Sequence, residues 1–165
     1  MLALFHLGIT ALVAVIIGLP IFSSMIGALL PDIVDKGLFF LGVAPYGRFF
    51  AHSIFFGPLI ALIIFMLTRK SYLALSILFG CYLHLLVDIT YFVPLFYPLV
   101  GYNFPSNKFE MDLWWFIILT ESMGIAILYS SIRFKSEILY YRNRVFAWMK
   151  KSTKCSSSMK RKRKK

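Results

Sequence analysis

The stretch YLALSILFGCYLHLLVDITYF, residues 72–92, decides the fold. It is apolar along nearly its whole length. It is long enough to cross lipid as a helix, which takes about 20 mostly apolar residues. Two side chains interrupt it, His84 and Asp88. Residues 49–67 and 113–132 pass the same length test, and Arg69 and Lys70 join 49–67 to 72–92 through a turn too short for a domain. The composition agrees: 59% of residues are hydrophobic, 15% are charged, and the mean hydropathy is +0.77. Soluble domains carry about 25% charged and 45–50% apolar residues. A chain of 165 residues is too short to hide this much apolar surface in one water-soluble core. The expected fold is therefore all-α, a polytopic membrane helical bundle with three full spans.

The N-terminal stretch, residues 2–30, is also apolar, but Gly18-Leu19-Pro20 breaks it. Proline removes a backbone donor and clashes with the preceding turn. One kinked span fits this pattern. So does a re-entrant helical hairpin with arms at 5–17 and 21–30. The segment lacks the basic start of a secretory signal, and is expected to be retained.

Charge is concentrated at one end. Residues 133–165 hold 13 Lys/Arg and one acid, against 5 Lys/Arg and 6 acids in the first 132. Lys and Arg flanking spans favour the cytoplasm. The C-terminal tail is thus expected to be cytoplasmic, with Arg69-Lys70 on the same side. Residues 93–112 and a loop at 31–48 are then outside. Three domains are expected: a membrane helical domain over 1–132, an interfacial amphipathic helix over 133–150, and a disordered basic tail over 151–165. The expected partners are membrane lipids, with anionic lipid at the tail rather than nucleic acid. Cys81 and Cys155 are too far apart in character to suggest a disulfide framework.

Ionisable groups inside membrane helices are costly and call for an explanation. His84 and Asp88 are four residues apart and share one helical face. The helix over 72–92 runs outward, which puts both in its outer half. Asp32 and His52 stand at the outer ends of their own segments. His6 joins them only if the N-terminal stretch folds back as a hairpin. Imidazole and carboxylate donors together suit zinc or another first-row divalent metal. With an open position, such a metal makes hydroxide available near neutral pH. The same groups could instead hydrogen-bond one another as structural clips. Glu121, mid-way along 113–132, is not expected to be a ligand.

The motifs occur in a telling order: Leu30-Pro31-Asp32, then Arg48 with His52-Ser53, then His84 with Asp88, and an early histidine, His6. Over residues 5–105 this resembles the YdjM-like family of membrane-bound, predicted metal-dependent hydrolases. The histidine that many relatives carry before the arginine is absent, Ala51 stands where they have threonine, and Asp35 comes one residue later than their second aspartate. The resemblance implies a metal site of His6, Asp32, His52, His84 and Asp88. It also implies catalytic roles for Asp32, Arg48, His52 and Ser53. Arg48 and Ser53 would orient ligands or hold an anionic substrate group. The family is similar in its site to zinc-dependent phospholipase C, which implies a phosphoester or lipid substrate. The expected function is a metal-dependent hydrolase at the outer membrane face. The alternative is a non-catalytic membrane protein, a transport subunit or assembly factor, with a structural or proton-handling His/Asp cluster.

Overall fold

The computed structural model describes residues 3–90, 92–104 and 114–144. Regular structure among them is helical throughout. The helices are α1 (Ala3–Ile17), α2 (Ile21–Phe40), α3 (Phe56–Thr68), α4 (Ser71–Val87) and α5 (Trp114–Arg133). A sixth, α6, covers 135–144. Short 3-10 turns lie at Phe50–His52 and Asp88–Thr90.

The N-terminal stretch is a hairpin, not one kinked helix. Gly18 has φ +86°, a left-handed conformation that ends α1 and that side chains with a Cβ tolerate poorly. Pro20 then caps α2 at its N-terminus. The hairpin brings His6, near the start of α1, to the end of the molecule where α2 finishes. The second arm is longer than the sequence suggests. Proline at 31 does not stop α2, which continues to Phe40 and removes most of the expected 31–48 loop. Pro31 leaves the carbonyl of Gly27 without its usual i+4 donor. The thiol of Cys81, on α4, donates to that carbonyl at 3.2 Å. Away from water a bare carbonyl is expensive, so this one bond lets the helix run on.

Helix pairs meet through small residues. On the α2–α4 seam, a Cβ at Gly80 would run into the Ser24 carbonyl, and one at Gly27 into the backbone of Ile77. On the α1–α5 seam, a Cβ at Gly8 would run into the Gly124 carbonyl, and one at Gly124 into the backbone of Leu4 and Phe5. Close backbone approach of this kind holds helices together where lipid removes the hydrophobic drive. Glu121 accepts a hydrogen bond from the Leu4 amide at 2.8 Å. That amide belongs to the first turn of α1, which has no intrahelical acceptor and sits at the positive end of the helix dipole. Leu4 against Glu121 and Gly8 against Gly124 show that α1 and α5 run the same way. The α1–α2 turn, the Arg69-Lys70 turn and the start of α6 therefore share one end. The histidines and aspartates share the other.

One helix among the described residues, α5, is long and apolar enough to cross a membrane, with a mean hydropathy of 1.5. Helices α1, α3 and α4 are apolar but shorter. The segment expected to span at 49–67 is helical only from Phe56. Residues 50–52 form a 3-10 turn instead, because the amides of Phe49, Ala51 and His52 are held by a buried carboxylate on α2. Helix α6 covers the first part of the expected 133–150 helix. The rest of that helix and the 151–165 tail lie outside the described residues.

Candidate metal centre

Because α2 passes through Pro31, Asp32 and Asp35 fall three apart on one helical face. They do different work. Asp35 is fully buried. Its Oδ2 accepts from the Phe49 amide at 2.6 Å, the His52 amide at 3.1 Å and His52 Nδ1 at 2.7 Å, while Oδ1 accepts from the Ala51 amide at 2.8 Å. This carboxylate therefore folds the 49–52 segment and orients the His52 ring at once. With Nδ1–H donated to Asp35, the neutral ring carries its lone pair on Nε2, the usual arrangement of a histidine that binds metal.

His52 Nε2 faces two other donors. Asp32 Oδ1 is 3.5 Å away and His84 Nε2 3.3 Å. The third side of the triangle, His84 Nε2 to Asp32 Oδ1, is 3.7 Å. Tetrahedral zinc with nitrogen and oxygen ligands at about 2.0–2.2 Å separates them by about 3.3–3.6 Å. The triangle thus has the size of one face of a metal's coordination shell. Asp32 Oδ1 is buried and has no hydrogen-bond partner among the described residues. Its other oxygen accepts from Lys36 Nζ at 3.0 Å, one turn along α2.

Asp88 stands across from this triangle. Its Oδ2 lies 3.9 Å from both His52 Nε2 and His84 Nε2. The same oxygen is held by Arg48 through Nε and a terminal nitrogen, each at 2.9 Å. Its Oδ1 pairs with His6 Nε2 at 3.1 Å. The His6 ring lies against His84, with centroids 4.3 Å apart. Two overlapping groups could thus hold a metal ion: Asp32, His52 and His84, and His6, His84 and Asp88. With neutral histidines, three carboxylates outweigh the cations Lys36 and Arg48 by one charge. A bound cation would offset that excess in a place where burying bare charge is costly.

The sequence-derived set is therefore largely gathered. His6, Asp32, His52, His84 and Asp88 meet at one end of the bundle. Arg48 reaches the cluster by gripping Asp88. Ser53 follows His52 and is buried, and its Oγ has no hydrogen-bond partner among the described residues. Asp35 and Lys36 are additions. Asp35 is the carboxylate behind His52, and Lys36 the cation behind Asp32. Their signal is the spacing 32, 35, 36, which is legible only once the helix is known to continue past proline. Around the 46–49 segment that carries Arg48, Tyr46, Phe49, Phe92, Tyr97 and Phe104 pack ring to ring, Phe49 and Tyr97 with centroids 4.7 Å apart.

An all-helical chain with a buried His/Asp cluster able to hold a metal ion is the class that fold and site define. The chain belongs to the YdjM inner membrane protein family, whose model matches residues 1–152. That match extends beyond the motif-bearing 5–105 stretch to include α5, α6 and the first part of the basic tail. No curated protein matches the chain, and neither does any solved structure.

Proposed function

We propose that this is a multi-pass membrane protein acting as a metal-dependent hydrolase on a phosphoester or lipid substrate. In this reading the His/Asp centre faces the outer side and the C-terminal tail the cytoplasm. The observation that carries the proposal is the Asp32–His52–His84 triangle, three donor atoms 3.3–3.7 Å apart with one carboxylate oxygen buried and unbonded. Orientation is supported by Arg69-Lys70 and the start of α6 sharing the end opposite the centre, since Lys and Arg favour the cytoplasm.

Asp32, His52 and His84 would hold the ion, zinc by ligand type. A bound ion of this kind supplies Lewis acidity and lowers the pKa of water. Asp88 Oδ2 faces the same space and would take a proton from water, with Arg48 holding its position and His6 on its other oxygen. Arg48 would also present positive charge to an anionic substrate group.

A non-catalytic reading draws on one observation: Asp88 is already paired with both His6 and Arg48, which satisfies that carboxylate without an ion. Metal analysis separates the two readings. Protein purified in detergent should carry about one divalent ion per chain and hydrolyse members of a phosphoester and phospholipid panel, read as the split products, and His84→Ala should lose both. Equal, near-zero metal in wild type and His84→Ala would remove the hydrolase proposal.

A further inference from the structure

At the end of the bundle away from the His/Asp centre, α1, α5 and α6 enclose a groove of about 300 Å³. Leu12, Ala126, Ile127, Ser130, Phe134 and Ile138 line it, almost wholly with carbon. Ile138 and Arg142 are four residues apart and share one face of α6. Arg142 reaches back over the α1–α2 turn, where its guanidinium would lie 2.7 Å from a Cβ built on Gly18. Gly18 is six residues beyond Leu12, about 9 Å further along the α1 direction. The groove therefore has an apolar slot with a guanidinium just past its end.

Arg142 donates to the neutral side-chain oxygen of Asn143 at 3.1 and 3.3 Å, and no carboxylate pairs with it among the described residues. Arg133, Lys135 and Arg144 lie in the same segment, against a single acid, Glu137. An apolar slot ending at a cation matches a molecule with a hydrocarbon chain and an anionic head. Guanidinium binds phosphate by two parallel hydrogen bonds.

We propose that this groove binds one acyl chain of an anionic phospholipid, with the lipid phosphate held by Arg142. The occupant is a membrane lipid because α6 directly follows α5, the described helix that is long and apolar enough to cross a bilayer. The site is separate from the His/Asp centre and does not depend on a metal.

Native mass spectrometry of the delipidated full chain, titrated with phosphatidylglycerol or phosphatidylcholine, tests the proposal. Wild type should bind phosphatidylglycerol at least about fivefold more tightly, the worth of one basic residue at an anionic surface. Arg142→Gln should abolish this preference, whereas Arg144→Gln, which removes the same charge from another face of α6, should retain it. Ser130→Phe, which fills the slot at an exposed position, should weaken binding of both lipids. Circular dichroism and size exclusion check that each variant folds. Should Arg142→Gln not fold, the wild-type preference and Ser130→Phe still decide. Equal binding of the two lipids to wild type overturns the proposal. So do equal effects at positions 142 and 144, or unchanged binding by Ser130→Phe.

Discussion

Replacing Asp35 by asparagine keeps the shape of the side chain and removes half its accepting power. The carboxylate takes four hydrogen bonds, three on Oδ2 and one on Oδ1. Asparagine has one acceptor oxygen. If that oxygen sits where Oδ2 was, the new amide group faces the Ala51 N–H, donor against donor, and one buried amide goes unsatisfied at about 1–3 kcal/mol. If the amide flips, it faces His52 Nδ1 and forces the proton onto Nε2. The nitrogen aimed at Asp32 and His84 then becomes a donor and cannot bind metal. Either way the metal should suffer, by about 10–100-fold in affinity, as is usual when the group behind a ligating histidine is changed. The assay is competition for zinc against a chelator of known affinity, alongside thermal unfolding in the same detergent. Asp35→Asn should lose metal affinity by that factor, and Asp32→Asn and His52→Ala should lose more. The reasoning is refuted if Asp35→Asn unfolds at a lower temperature yet binds metal within twofold of wild type, while Asp32→Asn does not bind it.

The other contacts make further outcomes testable. Cys81→Ala should lower stability by about 1–3 kcal/mol by exposing the Gly27 carbonyl, and Cys81→Ser should recover most of it. Adding Pro31→Ala, which restores the helix's own donor, should shrink the cost of Cys81→Ala in a double-mutant cycle of unfolding energies. Gly80→Ala should push α2 and α4 apart and cost about 1–3 kcal/mol, with metal retention falling alongside the unfolding temperature because that seam sets the Asp32-to-His84 distance. Lys36→Gln should change stability by less than about 1 kcal/mol, since the Lys36 side chain is 30% exposed in its pair with Asp32. Metal affinity should fall as pH is lowered, because protons compete for the histidine nitrogens, and dialysis at a series of pH values followed by metal analysis reads this directly.

Much of the centre was legible because the expense of burying ionisable groups makes them conspicuous in an apolar sequence. His84 and Asp88 needed only the helical spacing of four. Asp32 and His52 needed the alternation of inward and outward segments. His6 needed the hairpin, which Gly18-Leu19-Pro20 suggested as one of two options. The parts that were not legible share a cause. Proline at 31 reads as a helix boundary, and only a contact distant in sequence, from Cys81, overrules it. In sequence, Asp35 stands out only as arriving one residue later than the second aspartate of the family pattern. Its actual partners are the backbone of 49–52, and no periodicity reports a backbone that folds around a side chain. For the same reason residues 49–55 read as the start of a span. Their composition is apolar enough, but a fully buried carboxylate draws the amides of Phe49, Ala51 and His52 out of helical geometry. Ser53 entered through its neighbour in a motif, and its buried Oγ has no hydrogen-bond partner among the described residues.

The N-terminal hairpin has a consequence for how this protein should be handled. Its first arm is zipped to α5 and its second to α4, so it is the tie between the helix that carries no site residue and the helix that carries His84 and leads into Asp88. An apolar leader of this kind invites trimming in expression work. Deleting residues 3–17 would remove His6, leave Glu121 facing no amide, and separate α5 from the rest, so affinity tags belong at the other terminus.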